Sequence, residues 1–184
     1  MTGPTKGECA VAYEYAVSPE CITTTGRPHA ERCRIGIYPI VESKEARWGD
    51  LDVNGHVNHL ALEALHEDAR AGINEQYVPG TYDPNIDTFR LVTSQNVVHF
   101  LAEAHWPATI LVGIGIGGIG RSSVVVSSGL FIEDQCISVC DMTLVLVGDA
   151  GPVVFPEDIR EVMRKLMLRA VPRYPDFGDH NVAH

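Results

Sequence analysis

Apolar and polar positions along the chain fall into seven runs whose periods separate strand from helix. Residues 35–48 read as a strand, but Pro39 has no N–H for a ladder and confines that strand to an edge or a bulge. Over residues 57–76 the period becomes helical. Val57, Leu60, Ala61, Ala64 and Leu65 recur at offsets 0, 3, 4, 7 and 8, predicting one apolar helix face that Leu62, Ala69 and Ile73 widen. Four runs rich in Val, Ile and Thr follow at 90–101, 109–119, 122–132 and 136–147, with short connections that favour antiparallel pairing. A last amphipathic helix is predicted over 156–169. Pro156, Glu157 and Asp158 suit the positive end of its dipole, and Arg164, Lys165 and Arg169 suit the other.

One strand, one long helix and four strands make an α+β chain. A single helix cannot cover a crossover-linked parallel sheet of this size, so an antiparallel sheet must curl around it. That is the layout of the hotdog fold, expected over residues 35–171. Residues 1–34 read as an irregular extension with a short strand at 10–17, and residues 172–184 as a surface tail. A sheet of this kind leaves one face less covered, which predicts a homodimer or a dimer of dimers.

Composition narrows the classes. At 184 residues the chain holds one core. A net charge of −10 with scattered Lys and Arg offers no basic stripe for nucleic acid. No run approaches the roughly 18 apolar residues of a membrane span, and the start carries no apolar stretch of a secretory signal. The cysteines, Cys9, Cys21, Cys33, Cys136 and Cys140, are odd in number and include no C-x-x-C pair. That argues against a disulfide framework or zinc site and predicts a reducing, cytoplasmic setting, with no metal and no cofactor. Cys136 and Cys140 are expected on one strand face as small core residues.

The chemistry concentrates in residues 47–59, where Asp50, Asp52, Asn54, Asn58, His56 and His59 crowd a loop feeding a helix start. Free N–H groups at a helix N-terminus can hold a carbonyl oxygen as it gains charge. A carboxylate beside them can attack a thioester carbon or deprotonate a water that does. The same residues are equally suited to capping the helix, and Gly55 to a turn.

The stretch D-x-D-x-x-G-h-V-N from Asp50 to Asn58 resembles the signature of the 4-hydroxybenzoyl-CoA thioesterase family. Glu67-Asp68-Ala69-Arg70, Phe100 to Glu103 and Gly118 to Ser123 extend the resemblance over most of residues 36–169. The loop is also similar to that of the plant acyl-ACP thioesterases. The resemblance implies hydrolysis of an acyl-CoA or acyl-carrier-protein thioester. Asp52, Asn54 and His56 become the catalytic set, with Glu103 a fourth member, and the His59 amide polarises the thioester carbonyl. Gly55, Val57, Asn58 and His59 would then line the substrate. Apart from the resemblance, Arg121 suits contact with a CoA phosphate and equally suits a surface turn. The chain departs from both groups at His59 and at Ala61-Leu62, where an aromatic is usual, which bears on the acyl group preferred.

Other features point elsewhere. Gly113-x-Gly115-x-x-Gly118 satisfies a dinucleotide fingerprint but precedes a β run, so no helix N-terminus awaits a pyrophosphate. His59, Glu63 and His66 share one helix side, read as solvated or dimer-facing. Asp68 falls in the apolar stripe and is expected to emerge into solvent. His99 and His105 carry no ligand spacing. Two rival functions remain: a hotdog acyl-CoA hydratase or dehydratase, and a non-catalytic acyl-binding protein.

Overall fold

The structure is a computed structural model that describes Glu14 and residues 27–78 and 89–169. The tail at 172–184, and all of the expected strand at 10–17 except Glu14, lie outside the described residues. The elements run β1 (Ile40–Glu45), α1 (His59–Tyr77), β2 (Arg90–Phe100), β3 (Thr109–Ile119), β4 (Ser123–Ile132), β5 (Gln135–Gly148), β6 (Gly151–Pro152) and α2 (Glu157–Lys165). Every strand pairing is antiparallel, in the order β1-β3-β4-β5-β2, with β6 beside β5. The sheet curls around α1 as a half-barrel. This is the hotdog layout.

The first strand is shorter than its apolar run. Residues 35–37 form a 3-10 turn, and the ladder opens only after Pro39. The edge position predicted from that proline holds, because among the described residues β1 pairs with β3 alone. Helix α2 also stops early. Ile116 donates its N–H to Leu166 O and accepts from Leu168 N–H, at 2.8 and 2.9 Å, so the chain leaves the helix to extend the β3 edge beyond β1. Glu14 covers the next stretch of that edge, exchanging backbone bonds with Ile119.

Helix α1 buries a different line from the one its apolar period suggests. Leu62, His66, Ala69 and Ile73 are buried, whereas Leu60 and Ala64 are exposed and Ala61 and Leu65 are half-buried. The reason is His66, 2% exposed and therefore neither solvated nor dimer-facing. Its Nδ1 lies 2.7 Å from Ser128 Oγ and its Nε2 2.9 Å from Ser138 Oγ. Ser138 gives its own proton to His99 O, so it accepts from Nε2–H, and Ser128 donates to Nδ1. Two strand serines thus turn a polar residue into a core residue. Asp68, as expected, is exposed.

The outer face of the sheet has a core of its own. Tyr38, Ile37, Phe131, Val125 and Leu168 are buried together there. Tyr38 lies so close to the sheet that a Cβ on Gly113 would stand 2.6 Å from its ring, and one on Gly129 2.6 Å from its hydroxyl. Within the apparent dinucleotide fingerprint, Gly113 therefore admits the tyrosine, and Gly115 admits Pro39, whose Cδ would stand 2.6 Å from an added Cβ. A bulge between Leu130 and Phe131 breaks the alternation of β5 against β4. Cys140 consequently joins the main core while Cys136 packs on the outer cluster, so the two do not share a face.

Candidate active site

Asp52 to His56 form a tight loop whose sequence dictates its shape. Leu51 bridges Val57, Asp52 N–H donates to His56 O at 2.8 Å, and Gly55 N–H donates to Asp52 O at 3.1 Å. Asp at the first position and Gly at the fourth suit such a turn, and Gly55 takes the left-handed φ of 78° that closes it. The Asp52 carboxylate braces the loop, its Oδ1 accepting from Asn54 N–H at 2.8 Å and His56 N–H at 3.1 Å. The His56 N–H foremost, then that of Asn54, holds the Asp52 carboxyl below the usual aspartate range. Capping and chemistry are not exclusive here, since the bracing uses Oδ1.

The second acid is committed elsewhere. Asp50 takes both bonds of an Arg47 fork, at 2.7 and 2.8 Å, and its carbonyl accepts from Asn58 N–H. Asn58 is the N-cap of α1, accepting from Leu60 N–H at 2.9 Å, and its carbonyl takes Ala61 and Leu62. The His59 N–H is left without an acceptor among the described residues.

Asp52, His56, His59, Phe100 and Glu103 line one open cleft of about 190 Å³. His59 stands edge-on to Phe100, with centroids 5.9 Å apart. Phe100 also borders a hollow of about 560 Å³ lined by Arg27, Cys33, His99 and Leu101. Of the residues singled out in the sequence, Val57 is buried and anchors the loop through its N–H to Ala104 O at 2.7 Å. Asn54 is exposed and contributes its backbone. Arg121 sits in the β3–β4 turn, outside the residues lining the cleft, with its carbonyl engaged by Phe155 N–H.

His105, which carries no ligand spacing in sequence, is brought to this site. His56 and His105 form an isolated bridge and their rings meet edge to face at 4.9 Å. The signal lay in the segment after β2, which returns beside the loop and sets Glu103 and His105, two residues apart, toward one face.

A family model described as the thioesterase-like superfamily matches residues 46–163. The chain belongs to this superfamily. It is a thioester hydrolase of hotdog fold. A thioesterase from Thermus thermophilus, complexed with coenzyme A and Zn, is 25% identical, with a TM-score of 0.64 over 73% of this chain and 98% of that one. A Pseudomonas aeruginosa protein is 24% identical, with a TM-score of 0.63 over 73% of this chain and 96% of its own. A 1,4-dihydroxy-2-naphthoyl-CoA thioesterase from Synechocystis shares 14% identity and a TM-score of 0.62 over 68% and 96%. The last two share the fold with this thioesterase. No curated protein matches the sequence. Among the described residues, no helix of the thioesterase is long and apolar enough to cross a membrane.

Proposed function

We propose that this chain hydrolyses an acyl-CoA thioester to a free acid and the CoA thiol, with Asp52 as its catalytic carboxylate. The observation that carries the reading is that Asp52 and His59, whose amide is unpaired among the described residues, border the same cleft. The amide receives the thioester oxygen as charge develops, while Asp52, kept ionised, delivers attack on the carbon. Attack comes from the carboxylate itself, through an acyl-Asp52 anhydride that water then opens, or from a water it deprotonates. His56, beside Glu103, is placed to return a proton to the departing sulfur. Asn54, Gly55, Val57 and Asn58 act by holding the loop and the amide in place. Arg121 is proposed to meet a CoA phosphate beyond the cleft.

The cleft alone is smaller than the ~300 Å³ lower bound for a small-molecule site. The hollow across Phe100 supplies room for the rest of the thioester. CoA as the thiol is supported by the Thermus thermophilus thioesterase, which is complexed with it. The second edge of the sheet, β2, supports a homodimer. It is eleven residues long, pairs only with β5 among the described residues, and exposes Val92 and Phe100.

A panel of aliphatic and aromatic acyl-CoAs assayed for released thiol tests the reading. Turnover of at least one member is expected; tight binding with no thiol released throughout the panel overturns it. Borohydride trapping during turnover then separates the two routes, because only direct attack passes through an anhydride on Asp52 that hydride can reduce.

A further inference from the structure

The geometry points to a site for one zinc-class divalent cation held by His56, Glu103 and His105. Their ligating atoms all lie within 4.8 Å of one another. His56 Nε2 is 3.4 Å and His105 Nε2 3.8 Å from the same Glu103 oxygen, Oε2. Both separations exceed the 2.7–3.2 Å or so of a good N–H···O bond. Two atoms bound tetrahedrally to one zinc, each about 2.0–2.1 Å from it, stand about 3.4 Å apart. The His56–Glu103 separation therefore matches that of groups sharing an ion, and rotation of the exposed His105 side chain, whose ligating nitrogen already lies within 4.8 Å of both, would bring the third ligand onto the same point.

The backbone presets the arrangement. The His56–His105 bridge and the Val57 N–H to Ala104 O bond at 2.7 Å fix the two histidines on adjacent strands of chain. The rings stand at 86° to each other, so neither stacks over the other's nitrogen. Glu103 and His105 are exposed and His56 is half-buried, so an ion reaches the site without the chain opening. Two imidazoles and one carboxylate select zinc or a similar transition ion over Mg²⁺ or Ca²⁺, which require oxygen ligands. Three protein ligands leave a fourth position to solvent. The sequence predicts no metal, since the cysteines make no zinc motif and His105 carries no ligand spacing; the convergence of the three residues is a product of the fold.

Binding does not depend on the hydrolytic reading, but one consequence does. A bound ion withdraws His56 and Glu103 from the roles given to them above, so zinc is expected to slow turnover.

The test is zinc titration of the chelator-treated full chain, in competition with a chromophoric chelator, for the wild type, His105→Ala, Glu103→Gln and the control His59→Ala. One tight site per chain is expected, weakened about tenfold or more in His105→Ala and Glu103→Gln and unchanged in His59→Ala. His105 is exposed, and an unaltered circular dichroism spectrum would confirm that its replacement leaves the fold intact. A crystal soaked in zinc should show an anomalous peak between the three side chains. Equal affinity in His105→Ala and wild type, a peak elsewhere only, or displacement of zinc by equimolar Mg²⁺ overturns the site. Confirmed binding with undiminished turnover instead counts against the catalytic roles of His56 and Glu103.

Discussion

Arg32 Nη1 donates to both carboxylate oxygens of Asp141, at 2.6 and 2.7 Å, with both side chains buried on the outer face of the sheet. The remaining donors are also engaged: Nη2 with Ser128 O and Cys140 O, and Nε with Tyr38 Oη. Ser127 Oγ completes the carboxylate at 2.5 Å. This pair fastens the turn over residues 30–33 to β5. Replacing Asp141 with Ala strands a buried guanidinium and should cost about 3–5 kcal/mol in urea unfolding. The double variant Arg32→Met/Asp141→Leu should recover most of that loss, since it removes both charges.

His66 makes stability sensitive to acid. Burial, reinforced by the Arg32 charge, pushes its imidazole down to about 3, against ~6.5 in an unfolded chain. Below ~6.5 the unfolded chain takes up a proton that the folded one refuses until near 3. The neutral ring's contribution is therefore complete above the unfolded value and declines as pH falls, by up to ~1.4 kcal/mol per pH unit. Denaturant unfolding between about pH 7 and 5 should show this slope, and His66→Gln should flatten it. An equal slope in that variant would place the effect on other groups.

For Asp52 the expectation is kinetic. Asp52→Asn keeps an acceptor for the Asn54 and His56 amides, so the loop survives while the ionised carboxylate is lost. kcat should fall by ~10²–10⁴ with little change in Tm. Because Asp52 is held below the ordinary aspartate value, the wild-type kcat/KM should stay level on acidification to about pH 4. An acid limb centred well above that value would assign the essential base to another group.

Asn58 tests the oxyanion contribution separately. Asn58→Ala removes the cap of α1, which should cost ~1 kcal/mol by thermal unfolding. The His59 amide then loses its fixed direction, so kcat should drop while KM changes little. A KM effect alone would mean that the amide positions the ground-state substrate only.

Much of this architecture is legible in the residues. The strand runs, the edge role imposed by Pro39 and the strand reading of Gly113 to Gly118 all follow from local rules. The acidic loop could be located because Asp, Gly and Asn at those spacings shape a turn into a helix. What escaped depends on tertiary partners. His66 reads as polar because the serines that satisfy it come from β4 and β5, 62 and 72 residues away. His105 reads as isolated because its proximity to His56 is created by a bridge between distant segments. Cys136 and Cys140 appear cofacial because a one-residue bulge has no signature in their spacing.

The seat of Tyr38 ties three distant positions to one another. Room for the phenol exists only where positions 113 and 129 lack a side chain, so bulk there is a shared quantity, not a property of any single site. Among relatives, a side chain larger than hydrogen at 113 or 129 should accompany a smaller residue at 38. Alanine introduced at Gly113 should likewise be better tolerated beside Tyr38→Ala than beside the native ring.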